Sequence, residues 1–164
     1  MKFEEANLKN DIESILNIGK HSFTKFYSKE KIIKKLEGKK YWVYVAKEGN
    51  KIIGFKIWYE LNPNKIYSWL GAVHPDYRKR GIATKLMKIQ FKIAKELGYD
   101  VIEIKTHIGH PEMLKMLEKE KFKEIKREPN HWGNGKEAIF FEKDLAKTLI
   151  NQNKLKFSPA SSTR

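Results

Sequence analysis

The chain contains no cysteine, which excludes disulfide frameworks, thiolate-ligated zinc and thiol nucleophiles and agrees with a reducing compartment. Arginine is scarce as well: of 34 basic residues only Arg78, Arg80, Arg127 and Arg164 are arginine. Proteins that read nucleic-acid bases lean on the bidentate guanidinium, so this Lys-dominated surface resembles a general solvated coat. No apolar run is long enough to span a bilayer, and Met1-Lys-Phe-Glu-Glu-Ala-Asn7 has no apolar signal core. The expectation is a cytoplasmic protein without a membrane partner. A Gly-x-Gly-x-x-Gly fingerprint, a phosphate loop ending in Gly-Lys-Ser/Thr and internal repeats are all missing.

What is present is one domain's worth of core. The 164 residues are 40% hydrophobic, so one domain over residues 1–150 is expected where two would each be marginal. Residues 151–164 carry little apolar material and have the composition of a disordered tail. A formal charge of +14 gives a surface that attracts anions, whether nucleotides, nucleic acid, acidic peptide or lipid.

Along the chain, residues 2–7 suit a short strand, and Asn10 with Glu13 suggests the cap of a helix carrying Ile12, Ile15, Leu16 and Ile18. A second helix is expected from Ser28 to Gly38. Residues 41–46 and 51–59 read as a hairpin about Glu48-Gly49-Asn50, and Ile66 to Val73 as a third strand after Asn62-Pro63-Asn64. A helix follows from Ile82 to Leu97, with Ile82, Leu86, Ile89, Ile93 and Leu97 as its apolar stripe and Gly98 as its stop. Val101 to Thr106 then completes a strand–helix–strand unit, normally parallel and right-handed. A helix from Pro111 to about Lys121 and strands at 122–127 and 138–142 close the pattern.

The chemistry concentrates in Val73-His-Pro-Asp-Tyr-Arg78-Lys79-Arg80-Gly81-Ile82-Ala83-Thr84-Lys85. Four cations, Arg78, Lys79, Arg80 and Lys85, crowd the start of a helix, where the dipole prefers acids and each misplaced exposed cation costs roughly 0.3–1 kcal/mol. A bound polyanion reverses that sign. The free amides of the first turn point toward such an anion, and Gly81 and Ala83 have no long side chain to hold it away. A pyrophosphate site is expected here.

Arg78-x-x-Gly81-x-Ala83, after a strand and before an amphipathic helix, resembles the acyl-CoA signature of the GCN5-related N-acetyltransferases. The later Glu96-Leu-Gly-Tyr99 and Leu117-Glu-Lys-Glu-Lys-Phe122 follow in that family's order. The resemblance runs from Ile66 to about Leu145 most clearly. It implies an α/β (α+β) fold: a mixed, mostly antiparallel sheet with one splayed parallel strand pair and helices on both faces. It further implies acetyl-CoA as cosubstrate, with Ala72 and Val73 pairing with the pantetheine arm. Backbone amides from Lys79 to Thr84 (Lys79, Arg80, Gly81, Ile82, Ala83, Thr84) would hold the pyrophosphate beside Arg78. The expected reaction is direct attack of a neutral primary amine on the thioester, with a backbone N–H near Val73 facing the oxyanion.

The sequence departs from that family at the acid, because the usual Tyr position carries Leu117. His110 stands where many relatives have Asn and is a candidate for both catalysis and cofactor contact; His131 lies in the penultimate loop beside Trp132. Tyr67 occupies the strand position where some relatives carry a catalytic Glu, with Glu103 as a second candidate, although a phenol of pKa about 10 needs strong activation. His74, His107 and His110 lack the spacing of a metal site, and no metal is expected.

The acceptor expected is an amine on a small molecule, a protein N-terminus or a lysine. Its groove is expected between the first two helices, the loop at Asn62-Pro63-Asn64 and the loop at His131-Trp132-Gly133, lined by Phe23, Phe26, Tyr27, Trp69 and Trp132. Alternative readings are an RNA-associated protein and a CoA-binding sensor without turnover. Members of the family often form homodimers, but no sequence feature marks an interface.

Overall fold

A computed structural model describes residues 1–145 of the chain. The expected boundary near residue 150 and the polar tail 151–164 lie outside the described residues. Seven strands form one sheet: β1 (Lys2–Glu5), β2 (Tyr41–Glu48), β3 (Lys51–Asn62), β4 (Lys65–Val73), β5 (Val101–Thr106), β6 (Lys123–Glu128) and β7 (Ala138–Asp144), in the order β1-β2-β3-β4-β5-β7-β6. Every neighbouring pair is antiparallel except β4 with β5. The helices are α1 (Leu8–Ser22), α2 (Lys29–Leu36), α3 (Ile82–Glu96) and α4 (Pro111–Lys119). This is the mixed, mostly antiparallel α/β architecture that the resemblance implied.

The sheet is covered on both sides, which is why β3 and β4 read as nearly continuous apolar runs. On one face α1 and α2 lay Ile12, Ile15, Ile18, Ile32 and Leu36 onto Val43, Val45, Phe55, Ile57, Tyr59 and Tyr67. On the other, Met87, Phe91 and Ala94 of α3 and Leu117 of α4 meet Trp58, Ile66, Ile102 and Ile104.

Local chemistry sets the element ends. Helix α1 begins three residues earlier than Asn10 and Glu13 suggest. Asn7, in extended conformation, accepts from the Asn10 N–H through its side chain while the Asp11 carboxylate accepts from the Asn7 N–H. This reciprocal cap satisfies both orphan donors, and Asn10 and Glu13 lie inside the helix. Ser28 caps α2 as expected. The buried stripe of α3 is Ile82, Leu86, Met87, Phe91 and Ala94; Ile89 and Ile93 sit at its margin and Leu97 is 54% exposed. The stripe turns because the start of α3 must seat Ile82 and Leu86 on Ala46 and Ile53 at the far end of the sheet.

That seating depends on Gly54. A Cβ there would stand 3.1 Å from Ile82 Cγ2, 3.4 Å from the Ala72 carbonyl oxygen and 3.5 Å from Val73 Cγ2. A branched side chain must push the first turn of α3 off the sheet. Gly54→Val is therefore expected to destabilise the fold by about 1–3 kcal/mol, the usual cost of overpacking, as read by a lower urea midpoint with an unchanged slope.

Candidate active site

The parallel pair β4–β5 is only four residues long. Lys65 to Ser68 pair with Val101 to Ile104, and there the pairing stops. Each strand then stays with its other neighbour, β4 with β3 as far as Val73 and β5 with β7 as far as Thr106. Against β3, Ile57 pairs with Leu70 and Trp58 with Ser68, so Trp69 is unmatched and forms a bulge. Bulges bend and overtwist a strand. This one falls on the first residue beyond the last parallel pair and swings β4 away from β5. Residues Trp69 to Val73 thus present a backbone edge without a β5 partner, a ready template for an extended ligand.

The wide end of the gap leads directly into the cationic loop. His74 caps a single 3-10 turn, Pro75–Tyr77, by accepting from the Asp76 N–H at 3.2 Å. The chain then takes two left-handed residues, Lys79 at φ 60° and Gly81 at φ 74°. Glycine adopts this conformation without strain; lysine does not, so the loop stores some strain beside the cradle. Ile82 is 2% exposed and pins the helix start. The first helical bond runs from the Lys85 N–H to the Gly81 carbonyl, so the amides of Ile82, Ala83 and Thr84 precede the helix ladder, and no side chain caps them. The four cations divide their work. Arg78 braces the loop, donating from Nε to the Val73 carbonyl and from Nη2 to Ser22 Oγ, both at 3.2 Å. Arg80 stacks on Tyr77 at 5.0 Å and Lys85 lies 5.6 Å over Phe3, while Lys79 is exposed. Ala72 and Val73, half-buried, close the strand side of this hollow.

Helices α3 and α4 flank the gap on one face, where Thr84 Oγ1 meets Met116 Sδ at 3.9 Å. Leu117 is fully buried in the core of that face. His110 stands at the N-cap of α4 with its ring 4.2 Å from that of His107. His107 accepts from the Gly109 N–H at 3.0 Å and packs edge-on to Trp132 at 5.9 Å. Burial, and then the nearby Lys136, lower the pKa of His110 below the usual imidazole value; burial leads for His107 as well, followed by His110 and Lys136. His131 lies against Trp132 and Phe140, with Nδ1 2.5 Å from the Glu128 carboxylate. Four ring side chains, His107, His110, His131 and Trp132, are thus gathered at the β5 side of the mouth.

Tyr67 is placed elsewhere. It lies on the α1 face at the closed end of the gap, 4% exposed, with its ring 5.3 Å from Tyr59. Burial pushes its phenol far above the ordinary value, so its phenolate is unpopulated near neutrality, and Tyr67 is a packed aromatic. Its register partner Glu103 is engaged by Lys65 at 3.5 Å, which also bonds Glu142. Among the described residues no group of three or more His, Asp or Glu is arranged to hold a metal, and no helix is long and apolar enough to cross a membrane.

Four of the residues expected to line the acceptor groove come together. Tyr27 and Trp69 meet at 5.4 Å and Phe23 stacks on Phe26 at 5.3 Å, all on the α1 face beside the unmatched stretch of β4. The Asn62-Pro63-Asn64 turn does not belong there. Its Asn64 carbonyl accepts from the Asp100 and Val101 N–H groups at the closed end of the β4–β5 pair, a strand length from the mouth. Sequence reading also missed the Trp69 bulge, the Arg78 to Ser22 brace and the buried Lys56. The last had a signal: one Lys inside the otherwise apolar run Ile52-Ile-Gly-Phe-Lys-Ile-Trp-Tyr59.

Comparison with known proteins agrees with this arrangement. No curated protein matches the sequence. The ribosomal-protein-S18-alanine N-acetyltransferase from Escherichia coli has a similar structure, with a TM-score of 0.80 at 15% identity over 88% of this chain and 93% of its own. Ard1 from Thermoplasma volcanium follows with a TM-score of 0.77 at 20% identity, covering 87% and 96%. A GNAT family acetyltransferase from Elizabethkingia anophelis, solved with acetyl-CoA bound, gives 0.74 at 21%, covering 87% and 97%. At these identities the likeness carries the fold. The sequence model of the acetyltransferase (GNAT) family matches residues 11–122, and with that match the chain belongs to the GNAT acetyltransferase family.

Proposed function

We propose that the protein transfers the acetyl group of acetyl-CoA to a primary amine, on a small molecule, a protein N-terminus or a lysine, by direct attack in a ternary complex. The observation that carries this reading is the continuity of the site. A free strand edge, Trp69 to Val73, runs without interruption into a left-handed glycine and an uncapped helix N-terminus. The edge suits the amides of a pantetheine arm. The hollow at Lys79 to Thr84 suits a pyrophosphate, since Gly81 has open space on the side where a Cβ would stand. The residues therefore fit the cosubstrate, and acetyl-CoA bound in a structurally similar GNAT acetyltransferase supports the same choice.

In this reading Ala72 and Val73 hold the arm, and the amides from Lys79 to Thr84 hold the phosphates. Arg78 keeps the loop in place and adds charge. The amine approaches from the α1 face, past Tyr27 and Trp69. It attacks as the neutral base, the carbon–nitrogen bond forms to give a tetrahedral oxyanion met by a backbone N–H of the free stretch Trp69 to Val73, and the carbon–sulfur bond then breaks. His110, kept neutral at pH 7 and paired with His107, is the group suited to take the amine's proton, directly or through water. Tyr67 takes no part.

Calorimetric titration with acetyl-CoA, with ATP as comparison ligand, tests the reading. One-site binding of acetyl-CoA at least tenfold tighter than ATP is expected; equal affinity for both would leave only a basic surface. Gly81→Val is expected to weaken acetyl-CoA at least tenfold, because the branched residue resists positive φ and narrows the approach to the amides. Arg78→Glu is expected to weaken it similarly, by placing a like charge at the phosphates and releasing Val73 and Ser22.

The imidazole sets the pH dependence. The His110 pKa is lowered from 6.5, so the neutral base is present at pH 7 and is lost only as the pH falls below 6.5. In a thiol-release assay with a responsive amine, kcat/KM is expected to fall with acidity on that limb. His110→Ala is expected to cost on the order of 10²-fold and to remove the limb. A limb that survives the substitution assigns the base elsewhere.

A further inference from the structure

Lys56 sits in the middle of β3, between Tyr44 of β2 and Gly71 of β4. It is 7% exposed. Among the described residues no carboxylate pairs with it, and desolvation alone acts on its charge, pushing its pKa down to about 8. An unpaired buried cation is costly to a fold and needs a reason. The same face of the sheet holds further polar atoms without a protein partner: Ser68 Oγ, Trp58 Nε1 and both amide atoms of Gln90 on α3. Ser68 is 3% exposed and Gln90 and Trp58 are fully buried. Such groups are rare in native cores, and Trp58 and Ser68 are register partners across β3 and β4.

The lysine side chain is aimed by Gly71. A Cβ at that glycine would stand 3.6 Å from Lys56 Nζ and 3.7 Å from Lys56 Cγ, so the chain lies over the bare backbone of β4. Gly71 falls inside Trp69–Val73, the stretch of β4 that has lost its parallel partner. The amine of Lys56 therefore lies across the strand that forms one wall of the gap, on the face covered by α3. If phosphates sit at Lys79 to Thr84, the arm runs inward past Val73 and Ala72, and its sulfur end comes to rest beside Gly71. The attacking amine comes from the opposite face.

On the reading of the site given under Proposed function, we propose that Lys56 is the proton donor to the departing sulfur of CoA, filling the part left vacant by Leu117. The sulfur leaves with the electron pair of the broken carbon–sulfur bond. The Lys56 ammonium gives it a proton, forming the thiol and a neutral lysine. Lysine is recharged from solvent as the product leaves, and the proton lost by the acetylated amine passes to the base. Tyr44 of β2 and Gly71 of β4 flank Lys56 in the sheet, and neither bears an opposing charge. An amine of pKa about 8 is well matched to a thiol of about 8.5.

The test compares CoA with desulfo-CoA on the wild type and on Lys56→Met, a substitution expected to fold at least as stably because it removes a buried unpaired charge. Desulfo-CoA should bind both proteins equally within about twofold. The thiol of bound CoA, followed by thiolate absorbance, should titrate about one unit below free CoA on the wild type and like free CoA on Lys56→Met. The variant should also lose on the order of 10²-fold in kcat with the KM for the amine unchanged. A bound thiol that titrates alike in both proteins overturns the role of Lys56 while leaving the CoA site intact. Failure of desulfo-CoA to bind the wild type overturns the CoA site, and the role of Lys56 with it.

Discussion

Backbone hydrogen bonding in β4 is the constraint on which the site depends. A buried strand must pair on both edges or leave its amides and carbonyls unsatisfied. Here β4 pairs on both edges for four residues and on one edge thereafter. The opening is held by the partners on either side. β3 carries one wall to Val73, and β7, inserted between β5 and β6, carries the other to Thr106. The bulge at Trp69 sets the angle. A gap with both walls anchored in one sheet is rigid, and it leaves a row of polar groups that only water or an extended polar ligand can satisfy.

The charge of this chain is best understood from what its cations already do. A net +14 suggests indiscriminate attraction to anions, yet the residues around α3's start are mostly spoken for. Arg78 is tied to Val73 and Ser22, and Arg80 and Lys85 lie over aromatic rings. These contacts fix where the positive charge sits without neutralising it. A loop braced in this way meets an anion with little rearrangement, which is where preorganised sites gain their affinity. Beyond that loop the lysines are largely exposed and form the solvated coat that their abundance implied.

Much of this was legible in the residues, because local signals and global structure agree. Gly49, Gly81 and Gly98 all have positive φ where turns or helix boundaries were expected. The apolar runs at 51–59 and 66–73 became β3, buried along most of its length, and β4, buried at Ile66, Tyr67, Ser68 and Leu70. What stayed hidden depends on pairing over distance. A bulge is a mismatch between two strands, so Trp69 carries no mark of its own. The Asn62-Pro63-Asn64 turn looks like any hairpin turn until β5 begins beside it at Asp100. The stripe of α3 was misjudged because periodicity gives spacing, while the surface under the helix decides rotation. The α1 cap was missed because Asn7 and Asn10 are equally good residues for it, and the reciprocal bond from Asp11 decides between them.

The absence of a tyrosine at position 117 follows from the same packing logic. Leu117 is fully buried among the side chains between α4 and the sheet. A phenol introduced there would need its own hydrogen-bond partner or remain an orphan in the core. Phenols elsewhere in this chain show what burial does: Tyr59 is pushed up to about 12, and Tyr67 further, by desolvation before any other cause. Such groups neither accept nor release protons near neutrality. Lys56, buried within β3, is a cation that desolvation brings down toward the neutral range, while the half-buried His107 and the exposed His110 at the mouth of the gap are lowered from an imidazole value that already lies below 7. Desolvation moves acids and cations in opposite directions. Beside a sheet-walled cleft, the side chains left able to exchange protons near neutral pH are therefore lysine and histidine rather than tyrosine.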